Sequence, residues 1–148
     1  MTIRYVARTQ HPYARGDLVV VVDCRDLDRA ARFWAATLGY VAEGMAAEGE
    51  AAEEASGGLY QSLRPHDGQG IEILLQCTAD IKVAKNRLHL DLRTRDLTAE
   101  VRRVTDLGAT VLTGVPVREN GWTWHILADP DGNEFCVLQP PDTYWTEP

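Results

Sequence analysis

The sequence predicts an α+β fold in which two βαβββ modules pair into a cup-shaped mixed β-sheet with the helices outside. An order of one strand, one helix and three short strands occurs twice along the 148 residues. The dipeptide Asp26-Leu27 at the first helix returns as Asp96-Leu97 at the second, 70 residues later. Because one helix cannot cover both faces of a four-stranded sheet, pairing of the two modules is the natural way to bury them.

The first module is predicted within residues 17–78. Leu18 to Val22 reads LVVVV, a continuous apolar run typical of a buried strand. Asp26 can cap a helix that Gly39 ends. The apolar residues of this helix keep helical spacing, at Leu27, Ala30, Ala31, Trp34 and Leu38. Further strands are predicted at 40–44, 59–63 and 71–77, with a turn at Pro65-His66-Asp67-Gly68.

The second module is predicted within residues 85–140. Its first strand is Leu88–Leu92, and its helix runs from Leu97 to a stop at Gly108. The apolar stripe of that helix is Leu97, Val101, Val104 and Leu107, and a short strand follows at Val111 and Leu112. A strand beginning at Trp122 then turns at Asp129-Pro130-Asp131-Gly132-Asn133 and returns as far as Gln139.

Three segments lie outside this repeat. Residues 1–16 are predicted to be an N-terminal arm or edge strand, and residues 141–148 a C-terminal tail. The stretch 45–58 carries four glutamates among alanines and ends in Ser-Gly-Gly. Two interpretations of it stay open, a solvated loop and a short acidic lid over a pocket.

Composition bounds the function. A length of 148 residues suits one domain, and a net charge of -7 argues against nucleic acid as a partner. The cysteines Cys24, Cys77 and Cys136 are odd in number and lack a CxxC spacing, so reduced thiols are expected. The sequence shows neither an apolar span for a membrane nor a signal peptide, which predicts a cytoplasmic protein without membrane contact.

The strand at 88–92 supplies the first candidate site residues. Alternation places His89 and Asp91 on one face and the leucines on the other, under a helix, so His89 should face the cup. A neutral imidazole there could bind a metal, act as a base or hydrogen-bond a ligand. The alternative is a structural histidine paired with Asp91 or with Glu72 on a neighbouring strand.

Three stretches resemble the vicinal oxygen chelate superfamily, the group of glyoxalases, bleomycin-resistance proteins and extradiol dioxygenases, and especially its uncharacterised glyoxalase-like members. They are Asp26–Tyr40 (DLDRAARFWAATLGY), Lys85–Leu92 (KNRLHLDL) and Asp129–Leu138 (DPDGNEFCVL). With the repeat, the resemblance spans roughly residues 17–140. It implies paired βαβββ modules, often a homodimer, and in the enzymes one divalent metal in the cup.

The resemblance also implies where metal ligands would lie. The four positions hold Val19, Glu72, His89 and Cys136. Val19 has no donor atom, and the offset of 70 residues independently pairs it with His89. The other three residues make a ligand set with one open position, a catalytic zinc pattern. A thiolate is a soft ligand, which disfavours iron(II), manganese and magnesium.

The cup could also act without metal. Trp122 and Trp124 share one face of their strand, opposite His125, and can stack on a planar or cationic molecule. Carboxylates at Glu72, Asp91 and Glu134 would add charge complementarity. The alternative is that both tryptophans pack under a helix or in a dimer interface.

Two hypotheses about function follow. The leading one is a small-molecule-binding protein, metal-free or with an incomplete metal site, that sequesters an organic ligand as a resistance protein does. It would use His89, Glu72, Asp91, Cys136, Trp122 and Trp124. The second is a zinc-type lyase or isomerase in which Glu134 or His89 moves a proton. Cys136 is a poor candidate nucleophile because no flanking Arg or Lys would lower its pKa.

Overall fold

The computed structural model describes residues 18–43 and 59–146, and it contains the predicted repeat as two mixed β-sheets. The first module comprises β1 (Val19–Cys24), α1 (Leu27–Leu38), β2 (Tyr40–Ala42), β3 (Tyr60–Pro65) and β4 (Glu72–Cys77). The second comprises β5 (Leu90–Arg93), α2 (Leu97–Asp106), β6 (Thr110–Val111), β7 (Val117–Glu119), β8 (Trp122–Ala128) and β9 (Glu134–Gln139). The strand orders are β1-β4-β3-β2 and β5-β9-β8-β6, with β7 paired to β8.

The first and last strands of each module run parallel to each other. Val19 lies beside Glu72 in the first sheet, and Asp91 lies beside Cys136 in the second. In the described part of the chain β1 and β5 do not pair, so each is an edge strand. A crevice of about 720 Å³, here called the edge crevice, lies between β1 and the segment that leads into β5.

Both helices begin as the sequence predicts. The side chain of Asp26 accepts a hydrogen bond from the Arg29 backbone N–H at 3.0 Å. Asp96 does the same for Ala99 at 2.9 Å, so each carboxylate satisfies an N–H that the first helical turn leaves unpaired. Gly39 ends α1 with φ of 69°, a left-handed conformation that glycine adopts without strain.

One hydrophobic core joins the two modules. Trp34 on α1 packs against Phe135 on β9, with ring centroids 5.2 Å apart in an edge-on arrangement. Phe33 contacts both rings. Fully buried aliphatic side chains from both sheets and from α2 complete this core, among them Leu63, Leu75, Val104, Leu127 and Val137. The helix stripes predicted from the sequence therefore meet in a single interior, except that Leu107 follows α2 and is 37% exposed.

Polar contacts also tie the modules together. The indole Nε1–H of Trp34 donates to Asp129 Oδ2 at 3.0 Å, and both residues are buried. Asp131 accepts from the guanidinium of Arg29 at 2.9 Å. The guanidinium of Arg103 on α2 donates to the carbonyl oxygens of Ala36 and Thr37 at the end of α1, at 2.9 and 2.8 Å.

Several strand boundaries differ from the prediction; β3, for example, runs to Pro65, and β6 begins at Thr110. The first strand extends to Cys24, beyond Val22. Strand β5 begins at Leu90, so Leu88 precedes it, and with 92% of its surface exposed Leu88 does not lie under a helix as predicted. Strand β7 was not predicted; it pairs with β8 across a tight turn in which Asn120 and Gly121 have φ of 51° and 83°.

The flanking segments have different outcomes. The predicted arm at 1–16 and the acidic stretch 45–58 lie outside the described residues. The predicted tail contains a short 3₁₀ helix, Asp142–Trp145. No helix in the described ranges is long and apolar enough to cross a membrane.

Candidate functional site

The face of each sheet that is turned away from the helices is here called its outward face. On the second sheet this face carries a cavity of about 540 Å³, here called the tryptophan cavity. Its lining combines aromatic, aliphatic and ionisable side chains. They are Lys85, His89, Asp91, Glu119, Asn120, Trp122, Trp124, Ile126, Glu134, Cys136 and Leu138. This combination of an apolar wall and a few polar groups is typical of small-molecule sites.

Strands β8 and β9 form the floor of the cavity by simple alternation. Trp124 lies beside Leu138 and Ile126 beside Cys136 in the antiparallel register, and all four residues line the cavity. The intervening Phe135 and Val137 are buried in the core, as alternation predicts. Trp122 and Trp124 therefore line the cavity on the face of the sheet opposite Phe135 and Val137.

His125 lies on the opposite face of β8. Its Nδ1 is 2.8 Å from the hydroxyl of Thr113, a hydrogen bond on the core side of the sheet. It is therefore a structural residue.

Three side chains with metal-binding atoms meet on one side of the tryptophan cavity. His89, Asp91 and Cys136 each offer a ligand atom, and these atoms lie within 4.8 Å of one another. His89 Nδ1 is 2.9 Å from Asp91 Oδ1 and 3.9 Å from Cys136 Sγ. A carboxylate oxygen accepts, so in this contact the N–H at His89 Nδ1 is the donor.

Burial keeps the Cys136 thiol protonated. Desolvation raises the pKa of Cys136 to about 11, and the charge of Asp91 and a hydrogen bond to it add to the effect. Only Lys85 acts in the opposite direction. At neutral pH the free thiol is a weak nucleophile, in agreement with the absence of flanking basic residues in the sequence.

Glu134 is held as a carboxylate at the entrance to β9. Its Oε2 accepts from the Asn86 backbone N–H at 2.6 Å and from the Lys82 ammonium at 3.2 Å. The Asn86 bond lowers the pKa of Glu134, although desolvation opposes it, and Lys82 lowers it further. Glu134 is therefore ionised at neutral pH and is poorly suited to donate a proton.

Glu72 is placed differently from the other predicted ligands. Its carboxylate accepts from the Ser62 hydroxyl at 2.6 Å and pairs with the Arg64 guanidinium at 3.3 Å, on the first sheet. Among the described residues, the group that could share a metal is His89, Asp91 and Cys136, and Glu72 is not a member. Val19 lines the edge crevice together with His89.

Several cavity residues were not predicted as part of the site. Glu119 and Asn120 reach it through the β7–β8 hairpin, and Lys85 through the segment before β5. The Asn120-Gly121 dipeptide is a strong hairpin signal that could have placed the first two. The ring of Tyr144 in the 3₁₀ helix packs edge-on against that of Trp122, with centroids 5.5 Å apart. The C-terminal segment therefore supports one wall of the cavity.

A comparison with protein families decides which family the chain belongs to. The model of the glyoxalase-like domain matches residues 19–138, which span both modules. The chain belongs to the glyoxalase-like domain family. The resemblance seen in the sequence, to the vicinal oxygen chelate superfamily, is thereby confirmed. No curated protein matches the sequence of this glyoxalase-like protein.

Solved structures share the fold of this glyoxalase-like protein. A glyoxalase family protein from Bacillus cereus is 23% identical, with a TM-score of 0.60, over 91% of this chain and 99% of the other. A hypothetical protein from S. aureus is 15% identical, with a TM-score of 0.59, over 85% and 98%. A glyoxalase/bleomycin resistance protein/dioxygenase family enzyme from Burkholderia phytofirmans is 16% identical, with a TM-score of 0.57, over 82% and 95%. At these identities the likeness concerns the fold alone.

Proposed function

We propose that this glyoxalase-like protein binds a small organic molecule that carries an aromatic ring and a positive charge in the tryptophan cavity. One observation carries the proposal: Trp122 and Trp124 line the same cavity as three carboxylates, those of Asp91, Glu119 and Glu134. Aromatic rings stack on planar groups and attract cations to their faces, and carboxylates favour positive charge nearby.

The charges of the cavity are unequally neutralised. Glu134 is paired with Lys82, and Lys85 is the basic residue of the lining. Asp91 Oδ1 lies 2.9 Å from His89 Nδ1. Glu119 and Asp91 therefore leave a net negative field beside the indole rings, which favours a cationic ligand over an anionic one.

Sequestration is the mode of action that fits this cavity best. One solved structure with the same fold is named a glyoxalase/bleomycin resistance protein, from Albidiferax ferrireducens. Here, the groups best placed to hold a ligand are aromatic and ionic, whereas the Cys136 thiol is protonated and Glu134 is already paired.

A binding screen tests the proposal. The purified protein is titrated with a panel of aromatic cations, and affinity is measured by calorimetry. Trp124→Ala should weaken binding of a hit by about tenfold or more, since an aromatic contact with a cation is worth roughly 0.5–2 kcal/mol and the wall loses apolar area as well. His66→Ala is the control, because His66 is exposed in the β3–β4 turn and lies outside the cavity lining.

The screen has a clear negative outcome. If hits bind Trp124→Ala and His89→Ala as tightly as the wild type, the tryptophan cavity is not the ligand site. A preference for anionic aromatics of the same size would overturn the charge argument while leaving the stacking argument intact.

A second candidate function, zinc-dependent lyase or isomerase chemistry, is favoured by the group of His89, Asp91 and Cys136. Imidazole, carboxylate and thiol are all zinc ligands, and three of them with an open position are the donor count of a catalytic site. The chemistry of these three described residues fits zinc, and Asp91 rather than Glu72 would be the carboxylate ligand. Zinc bound there would polarise a carbonyl or hydroxyl oxygen of a substrate.

These side chains must change their hydrogen bonding to accept zinc. Cys136 would lose the proton that its raised pKa retains, and Asp91 would exchange its bond from His89 for the metal. Affinity should therefore rise with pH across the neutral range.

Metal analysis tests the second candidate. Protein purified without chelator is assayed for zinc by mass spectrometry, and its melting temperature is compared before and after chelation. His89→Ala should abolish bound zinc, whereas His66→Ala, an exposed histidine in the β3–β4 turn, should not. Substoichiometric zinc in the wild type, with an unchanged melting temperature, would remove this candidate.

We also infer a homodimer. The outward face of the first sheet exposes Val19, Val21, Val41 and Tyr60, each by more than 40%. Apolar patches of this kind mark interaction surfaces, and a second copy is the partner that the resemblance implies. Light scattering should report twice the monomer mass of 16.4 kDa. The Val21→Glu variant should have the mass of a single monomer.

A further inference from the structure

Cys24 and Cys77 lie side by side at the ends of two parallel strands. They are Cα partners in the register of β1 and β4. The preceding partners on the same face, Val22 and Leu75, are both buried in the core. Since side chains two residues apart share a face of the sheet, both thiols point to the core side.

Each thiol also reaches toward the other strand. Cys24 Sγ lies 3.6 Å from the carbonyl oxygen of Gln76, and Cys77 Sγ lies 3.7 Å from that of Arg25. Neighbouring strands are about 4.8 Å apart, and the Cα atoms of disulfides lie roughly 4.4–6.8 Å apart. The backbone therefore holds the two cysteines at a separation that a disulfide can span.

The two thiols differ in reactivity. Cys77 is half-buried and within reach of a small reagent, whereas Cys24 has only 1% of its surface exposed. Burial raises the pKa of Cys24 to about 11, and the charges of Asp131 and Cys77 contribute further. Cys77 is therefore the thiol that attacks first, and Cys24 is the one that follows.

We propose that Cys24 and Cys77 form a redox modification site that closes into a disulfide by exchange with a small organic disulfide such as oxidised glutathione. The Cys77 thiolate attacks one sulfur of the reagent and releases one glutathione thiol. Cys24 then gives up its proton and attacks the Cys77 sulfur, which releases the second thiol. The protein loses two hydrogen atoms, and the reagent gains them.

The bond would be of the reversible kind. Residues side by side on parallel strands have their Cβ atoms about as far apart as the strands, about 4.8 Å, whereas relaxed disulfides prefer about 3.8 Å. Such bonds are more readily reduced, as regulatory disulfides are. The pair thus differs from a structural crosslink, and the reduced form is the resting state expected in a reducing compartment.

The site lies next to the turn that leads into the tryptophan cavity. Asn133 Nδ2 donates to the Asp23 carbonyl oxygen at 2.9 Å, and the Arg25 N–H donates to Asp131 at 3.0 Å. A crosslink at Cys24 would therefore shift the neighbouring backbone of Asp23 and Arg25, which is hydrogen-bonded to the β8–β9 turn just before Glu134. The proposal does not depend on which ligand the cavity binds.

Peptide mapping tests the proposal on the full chain. The protein is incubated with oxidised glutathione, free thiols are blocked, and trypsin separates Cys24, in a peptide that ends at Arg25, from Cys77. We expect the Cys24 and Cys77 peptides to be linked by a disulfide that dithiothreitol reduces. Cys24→Ser should instead retain glutathione on Cys77, and Cys136→Ser should leave the linkage unchanged.

Three results would overturn the proposal. In the first, both thiols are still free after incubation with oxidised glutathione and are fully blocked. In the second, the wild type retains glutathione on Cys77 without a linkage to Cys24. In the third, the linkage involves Cys136. Because the decisive map is made on the wild-type protein, it stands even if a serine variant fails to fold.

Discussion

The two sheets have equivalent strand orders, but the side chains on their outward faces differ. In the first sheet, Val19 and Val21 are exposed, and the carboxylate of Glu72 is already bonded to Ser62 and Arg64. In the second, the outward positions hold two tryptophans and the group of His89, Asp91 and Cys136. One copy of the repeat therefore carries the candidate site, and the other carries an apolar surface.

The buried faces are alike where the outward faces differ. Val22 and Leu75 fill the core side of the first sheet, and Leu127 and Val137 fill that of the second. The fold depends on this buried pattern, because burial of apolar surface is its main driving force. Outward positions are free of that constraint, which is why two copies of one fold can differ in function.

The largest expected effect is at the residue that joins the two modules. Trp34→Ala should lower the free energy of unfolding by about 3–5 kcal/mol, the usual cost of truncating a buried aromatic residue. It also removes the hydrogen bond to Asp129, which has only 3% of its surface exposed. Denaturant unfolding followed by circular dichroism measures the change.

Trp34→Phe isolates the hydrogen bond from the packing. It should cost about 1–3 kcal/mol, because the buried Asp129 Oδ2 loses one of its two hydrogen-bond donors and keeps only Asn133 Nδ2. A phenylalanine variant as stable as the wild type would show that packing alone joins the modules at this point.

The next effect separates the two outward faces. If zinc binds, His89→Ala should weaken its binding by at least about a hundredfold, because a ligand is lost outright; loss of outer-shell partners alone costs about 10–100-fold. Glu72→Gln should change zinc affinity less than about twofold, since Glu72 is bonded within the first sheet. Competition with a zinc-binding dye measures both.

An equal loss in the two variants would contradict the placement of the site on the second sheet alone. It would instead restore Glu72 as a ligand, as the sequence first predicted.

A smaller effect is expected where α2 meets α1. Arg103→Lys should lower stability by about 0.5–1.5 kcal/mol, because lysine cannot reproduce the forked donation to the Ala36 and Thr37 carbonyl oxygens. Arg102→Lys, next to it on the same helix, is the control and should be near neutral. Thermal melts compare the two, and an equal shift in both would assign the change to helix propensity.

A further effect concerns alkaline pH. The pKa of Cys24 and of Cys136 is raised from 9.0 to about 11 in the folded state. Both states hold neutral thiols below pH 9, whereas between pH 9 and 11 the unfolded thiols lose protons that the folded ones keep. Unfolding therefore becomes easier as pH rises through this range.

Melting temperatures measured between pH 8 and 11, with a reductant present, check this dependence. Cys136→Ser should reduce the slope relative to the wild type, because it removes one of the two thiols whose pKa is raised. An unchanged slope in Cys136→Ser would show that burial of this thiol does not control its ionisation.

The elements of the fold follow from local sequence signals. The Asp26 and Asp96 caps, the Gly39 stop and the Asp129–Asn133 turn are each determined by the chemistry of a few adjacent residues. Alternation along β9 likewise separated Cys136 from Phe135. The placement of Leu88 was wrong, because the sequence alternation extends to Leu88 although the strand itself begins only at Leu90.

The membership of the candidate site is a different matter, because it depends on contacts between distant residues. The sequence by itself predicted the two modules, their caps and a cup-facing position for His89 and Cys136. It left open whether Trp122 and Trp124 face the cup or pack under a helix or in a dimer interface. Only the tertiary structure decided that Glu72 is bonded to Arg64 and that Asp91 joins His89 and Cys136. A side chain takes the nearest partner that the packed strands offer, and that choice is made only when the sheets have formed.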